Sequence, residues 1–223
     1  MSWESTLPYY RQINETIRDR LGGLHSAKIV LYSVDFHDIE RLQCAGDWAA
    51  AGLAMATAAR TLESAGADFL VLCTNTMHKV APAIEAAVGI PLLHIADPTG
   101  AEISQAGFAR IGLLGTRFTM EQDFYKERLR EQHALDVLIP DEADRKTLHR
   151  IIYDELCLGR IVAESRNEYR RIMEDLVARG AQAIILGCTE ISLLVDADDC
   201  SVPLFDTARI HARAAAERSL PAT

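Results

Sequence analysis

Residues 62–76, LESAGADFLVLCTNT, return without a gap at 176–190 as LVARGAQAIILGCTE. Leu62 meets Leu176, Gly66 meets Gly180, Ala67 meets Ala181 and Leu72 meets Leu186. A second echo follows at a similar distance, IPLLHIAD at 90–97 against VPLFDTA at 202–208. A repeat on this scale means that one supersecondary unit is used twice. The chain is therefore expected to fold as two copies of one unit facing each other across a cleft.

The repeated unit reads as strand followed by helix. Short apolar or β-branched runs lie at 28–34, 68–73, 90–95, 110–115, 135–140, 183–187 and 202–205. Several are continuously apolar, as strands buried on both faces of a parallel sheet are. Helical stretches separate them. Near the start, Ser5-Thr6-Leu7-Pro8 offers caps and a first-turn proline, and an apolar stripe of Ile13, Ile17 and Leu21 ends at Gly22-Gly23. Further helices are expected over 47–64, closing at Gly66, and over about 142–157 and 161–178, divided by Gly159. Such alternation implies an α/β fold of two pseudo-symmetric parallel-sheet domains with the active site in the cleft between them. The expected boundaries are 1–100, joined by a C-terminal helix 207–223, and 101–206.

Ligands of parallel sheets gather at the carboxyl ends of strands, where Thr74-Asn75-Thr76 and Cys188-Thr189-Glu190 fall. In the repeat register Cys73 meets Gly187 and Thr74 meets Cys188. Adjacent strand residues point to opposite faces, so Cys73 and Thr74 cannot both enter the cleft. With Cys188 inward, Thr74 is its counterpart and Cys73 a core thiol. The repeat also has a gap. Phe124-Tyr125-Lys126 matches Tyr9-Tyr10-Arg11, which sets Met1 against Thr116 and leaves nothing opposite the strand IGLLG at 111–115. A strand is thus expected upstream of Met1, and a longer chain is expected to be more stable.

Composition narrows the partners. A formal net charge of −9 argues against nucleic acid and anionic membrane surfaces. No uninterrupted apolar run reaches the roughly 18 residues of a membrane helix, and MSWESTLPYY lacks the basic and apolar regions of a signal peptide. Five scattered cysteines, an odd number, point to free thiols in a reducing, cytoplasmic setting. None has zinc-ligand spacing, so no metal is expected.

Two quasi-equivalent strand ends would flank a bound small molecule. A helix after each end would offer free N–H groups and a positive dipole end to a carboxylate, and would lower the pKa of a thiol. Opposed groups at a carbon bearing a carboxylate suit proton removal from one face and delivery to the other, the arrangement for racemisation. Asn75, Thr76 and Thr189 also suit helix caps, and Glu190 suits a first helical turn.

The segments MSWEST, VLCTNTMH, IGLLGT and ILGCTEI, in this order, resemble the aspartate/glutamate racemase family over essentially the whole chain. The resemblance implies two α/β domains, a homodimer, a small amino-acid substrate, and neither pyridoxal phosphate nor metal. It implies two acid/base thiols, one before Asn75-Thr76 and one before Thr189. Cys188 keeps that role, but Thr74 stands at the other place, so unequal directions and a preference for the L-enantiomer are expected. Asn75, Thr76 and Thr189 would hold the carboxylate, with Met1, Gln43 and Glu190 completing the substrate contacts. Some members carry a lysine where this chain has Cys157, two residues before Gly159. That weakens aspartate or glutamate as the substrate and admits a neutral amino acid such as homoserine. A single-thiol decarboxylase or cis-trans isomerase, and a non-catalytic amino-acid binder, are the alternative classes.

Overall fold

The computed structural model describes residues 1–221; residues 222 and 223 of the expected C-terminal helix lie outside the described residues. The chain divides into two compact units. Unit 1 holds Met1–Cys73, Met77–His94 and the chain from Ala212 on; unit 2 holds Thr74–Thr76 and Ile95–His211.

Unit 1 opens with α1 (Trp3–Leu21), which Gly22 ends at φ 75. Ser2 is the N-cap residue, so the helix begins earlier than Ser5-Thr6 suggested and Pro8 lies inside it. A helix absent from the sequence reading follows, α2 (Phe36–Ala45), with the Asp35 side chain accepting from the His37 N–H at 2.9 Å. Next come α3 (Trp48–Ser64), capped by Asp47, then β1 (Leu70–Val71), α4 (Ala81–Glu85) and β2 (Leu92–Leu93). β1 and β2 pair in parallel, Leu70 with Leu92 and Val71 with Leu93. The core gathers Ile39, Met55, Leu70, Met77 and Ile84.

The expected strand at 28–34 does not form. The segment is irregular, and Ile29, Val30, Leu31 and Tyr32 are 37%, 50%, 59% and 45% exposed. Strand conformation is sustained by a hydrogen-bonded neighbour, and among the described residues β1 pairs only with β2. β1 and β2 are themselves shorter than the runs that announced them.

Unit 2 runs α5 (Ala96–Gln105), β3 (Arg110–Gly115), α6 (Arg117–Glu121), α7 (Asp123–His133), β4 (Asp136–Leu138), α8 (Glu142–Asp154), α9 (Ala163–Ala178), β5 (Ala183–Gly187), β6 (Leu204–Asp206) and α10 (Thr207–Ser219). From Ala212 onward α10 belongs to unit 1. The sheet is parallel throughout, in the order β4-β3-β5-β6. β3 and β5 fill the expected runs residue for residue and pair from Ile111 with Ala183 to Gly115 with Gly187. Every residue of β5 is buried, as a central strand covered on both faces must be. Among the described residues, no helix is long and apolar enough to cross a membrane.

The two units share local geometry. Ser2 before α1 and Thr116 before α6 have nearly the same backbone, φ −60, ψ 157 and φ −65, ψ 158. The structural counterpart of Met1 is therefore Gly115, one residue away from the Thr116 expected from sequence.

Candidate active site

β5 ends at Gly187, and two glycines fix how its end is placed. A Cβ on Gly187 would stand 2.6 Å from the Leu114 carbonyl oxygen, and one on Gly115 would stand 2.8 Å from the Gly187 oxygen. Only glycine lets the ends of β3 and β5 run this close, and Cys188 is the next residue.

Cys188 is buried, 9% exposed. Its thiol donates to Glu190 Oε2 at 2.9 Å, and the Thr189 hydroxyl donates to the same oxygen at 2.9 Å. That oxygen therefore accepts from both donors. Burial first, then the charge of Glu190 and the nearby Cys157, push the Cys188 thiol well above its ordinary pKa. The direction is opposite to the one expected from sequence. A full helix was to follow Cys188 and favour its thiolate, but the chain makes only a short 3₁₀ turn, Ile191–Leu193. The segment after Asn75 likewise begins as a 3₁₀ turn, Thr76–Val80. It continues directly into α4, so the short turn at the Cys188 end is the one too short to carry a useful helix dipole.

Thr74, Asn75 and Thr76 are all buried and belong to the same unit as Cys188. The Thr76 hydroxyl lies 2.9 Å from that of Thr116 and 3.3 Å from that of Thr119. The two are themselves 3.3 Å apart, so three hydroxyls close a triangle. Asn75 Nδ2 donates to the Thr207 hydroxyl at 3.0 Å, and that hydroxyl donates its single proton to the Leu186 carbonyl at 2.8 Å. Thr207 can therefore only accept from Asn75, which fixes the amide's orientation. Asn75 Oδ1 is left buried without a hydrogen-bond partner. A second orphan, the Tyr169 hydroxyl, is fully buried. Burial first, then Cys188, Cys157, Glu190 and Glu155 around it, raise the phenol's pKa well above its usual value.

Met1 and Gln43 fall in unit 1. The Met1 ammonium bonds the Ser5 hydroxyl at 3.0 Å and donates to the Cys73 carbonyl at 2.9 Å. Gln43, on α2, is buried with its Nε2 3.1 Å from Met77 Sδ. Cys73 is half-buried in unit 1, and burial pushes its thiol up to about 11 despite the Met1 ammonium, which acts the other way.

A family model described as Asp/Glu/Hydantoin racemase matches residues 1–215. The chain belongs to this family of amino-acid racemases. A Yersinia pestis chain, described as a candidate Asp/Glu racemase, is 61% identical with a TM-score of 0.91; the match covers 99% of this chain and 96% of that one. An aspartate racemase homologue from Pyrococcus horikoshii is 33% identical with a TM-score of 0.81, covering 96% and 93% respectively. A broad specificity amino-acid racemase of Bacillus subtilis, RacX, is 23% identical over 159 residues, 68% of this chain and 65% of that relative. In this racemase the sequence pointed to one triplet at each strand end. It missed Thr207, Thr116, Thr119 and Tyr169 as neighbours of those triplets, while Cys157 was marked as the place where some family members carry a lysine. Thr207 was visible in the second echo, VPLFDTA, and Thr116 in IGLLGT; nothing in the sequence marks Tyr169.

Among the described residues, no three His, Cys, Asp or Glu side chains are grouped to hold a metal ion. The buried groups offer a thiol, a carboxylate and hydroxyls, which serve proton transfer.

Proposed function

We propose that this racemase inverts the α-carbon of a small amino acid, with Cys188 and Thr74 as the opposed acid and base. The observation that carries the proposal is the buried hydrogen bond from the Cys188 thiol to Glu190. A thiol held protonated is idle as a base until something takes its proton, and Glu190 is in contact to do so. In this reading the proton moves from Sγ to Glu190 and the thiolate removes the α-proton. The Thr74 hydroxyl returns a proton on the other face and is restored, by way of water, with the proton that Glu190 took; in the reverse sense Glu190 reprotonates Cys188. Glu190 is thus a positioning residue and proton acceptor, and the orphan Asn75 Oδ1 is suited to the substrate's α-ammonium. Because the triangle engages the Thr76 hydroxyl, its substrate contact passes to the backbone N–H, beside Thr189, for the carboxylate.

The first substrates to consider are aspartate and glutamate, with the two directions unequal because a hydroxyl is a far weaker acid than a thiol, and the L-enantiomer taken as the preferred one. A neutral side chain, as in homoserine, is a second reading favoured by one observation. Among the described residues, the groups that shift the ionisation of Cys188 and Tyr169 are acids and thiols, Glu190, Glu155, Cys157 and Cys188 itself.

Solvent deuterium incorporation at Cα, followed by NMR for both enantiomers of aspartate, glutamate and homoserine, tests the proposal. Exchange that is abolished by Cys188→Ser, spared by Cys73→Ser and faster from the L side supports it. Equal maximal rates from both enantiomers, or loss with Cys73→Ser, would overturn the Cys188–Thr74 pairing. Product that has lost a carbon would mark a decarboxylase.

A further inference from the structure

Tyr169 lies on the buried face of α9, at helical spacing from Ser165, Ile172, Met173 and Leu176. None of its surface reaches water, and its hydroxyl makes no hydrogen bond. A buried hydroxyl without a partner is destabilising, and phenylalanine would fill the same space without that penalty. A tyrosine at such a place calls for a state of the protein in which the hydroxyl is used.

Four ionisable groups act on it, Cys188, Cys157, Glu190 and Glu155. Both oxygens of Glu155 are engaged, Oε2 by the Ser165 hydroxyl at 2.5 Å and Oε1 by Arg150 Nη1 at 3.2 Å. Glu190 Oε2 already accepts from the Cys188 thiol and the Thr189 hydroxyl. A neutral thiol is a weak acceptor, whereas a thiolate is a charged one. Of the two thiols, Cys188 is the one assigned the α-proton. We propose that Tyr169 donates a hydrogen bond to Cys188 Sγ once the thiol proton has passed to Glu190, and so stabilises the thiolate that works on the α-carbon. This inference rests on the racemase reading above.

Tyr169 keeps its own proton throughout. Burial and the same four groups hold the phenol well above its usual pKa, so it is a donor and not an acid. The core packing around its ring holds the hydroxyl in place before the charge appears. Because the resting thiol gains nothing from this donor, the bond favours the reactive state alone. An interaction confined to that state raises kcat and leaves substrate binding unchanged. Tyr169 is therefore a positioning residue that acts through Cys188.

Tyr169→Phe keeps the ring and removes the hydroxyl. Its thermal midpoint should equal or exceed that of the parent, since an unpartnered group is lost. Deuterium exchange at Cα should lose roughly 10- to 100-fold in kcat at unchanged KM, the usual contribution of a hydrogen bond to a charged group. A second readout is independent of turnover. In a Glu190→Gln background, which removes the carboxylate charge acting on the thiol, the pH midpoint for alkylation of Cys188 is followed by peptide mass spectrometry. Adding Tyr169→Phe should raise that midpoint by about one to two units. An unmoved midpoint would overturn the proposal, and a simultaneous loss of stability would mark the hydroxyl as structural. Higher KM at unchanged kcat would also overturn it, by making the phenol a substrate contact. A raised midpoint in a protein that exchanges no amino acid would support the bond from Tyr169 to Cys188 and refute the racemase reading instead.

Discussion

The Cys188 thiol and the Glu190 carboxylate, two positions apart in the chain, meet at 2.9 Å where neither is open to water. Their contact has opposite consequences for resting ionisation and for turnover. The negative carboxylate holds the thiol protonated, yet it also supplies the place for the thiol's proton to go.

Glu190→Gln separates the two. Removing the charge should lower the Cys188 pKa toward its ordinary value, so the pH midpoint for alkylation of Cys188 moves down. Deuterium exchange at Cα should nevertheless fall, by roughly 10²–10⁴-fold, the usual worth of a positioned acid or base. A purely structural Glu190 would lose exchange without this downward shift in the alkylation profile.

The Thr207 hydroxyl holds the Asn75 amide so that Oδ1 is free. Hydrogen bonds to charged groups contribute about 1.5–3 kcal/mol, so losing the ammonium contact should raise KM roughly 10- to 100-fold. Asn75→Ala is expected to do so directly. Thr207→Val should do the same indirectly, since a valine cannot accept from Nδ2, and Thr207→Ser should restore the original KM. Steady-state kinetics of the three variants check this. Unchanged KM in Thr207→Val would detach Asn75 from the substrate.

Gly187→Ala should damage the site without touching any acid or base. Its Cβ would press on the Leu114 backbone oxygen, which cannot swing away as a flexible side chain would. Overpacking of this kind costs about 1–3 kcal/mol. The expected result is a lower urea midpoint at unchanged m, together with slower exchange, because Cys188 moves with the strand end. Stability equal to the parent would show that β3 and β5 can part at this point.

The parts of the fold that were legible are those where burial alone decides. β3 and β5 have a neighbour on each side and helices over both faces, so an unbroken apolar run was sufficient to mark them. KIVLYSV has the same composition and fails, because no sequence window records whether a hydrogen-bonding neighbour is present. α2 escaped notice because it starts directly after that run, although Asp35 caps it and Ile39 and Gln43, four residues apart, form its buried face. At the site, the repeat set Thr74 against Cys188; Cys188 directly follows β5, whereas Thr74 lies three residues beyond β1. It could not give the thiol's ionisation, which follows from a turn too short to carry a dipole and from a carboxylate folded back on the thiol. Nor could it pair Asn75 with Thr207, 132 positions away.

The segment between Glu190 and β6 is held by Asp199, whose carboxylate is bonded by Arg166 and Arg170 of α9 and by the Asp196 N–H. Burial raises the Asp199 carboxyl, but these donors, Arg166 foremost, outweigh it and hold the pKa at about 2 against an ordinary 3.8. A carboxyl with a depressed folded-state pKa stabilises the fold above its unfolded value, and that contribution fades as pH falls toward the folded value. Thermal midpoints measured from pH 7 downward should therefore drop more steeply for the parent than for Asp199→Asn between about pH 4 and 2. Near neutrality the variant should be the less stable of the two, since it leaves two guanidinium groups short of a charge. Parallel curves over that window would show that the clamp forms equally well in the unfolded chain and contributes nothing to acid stability.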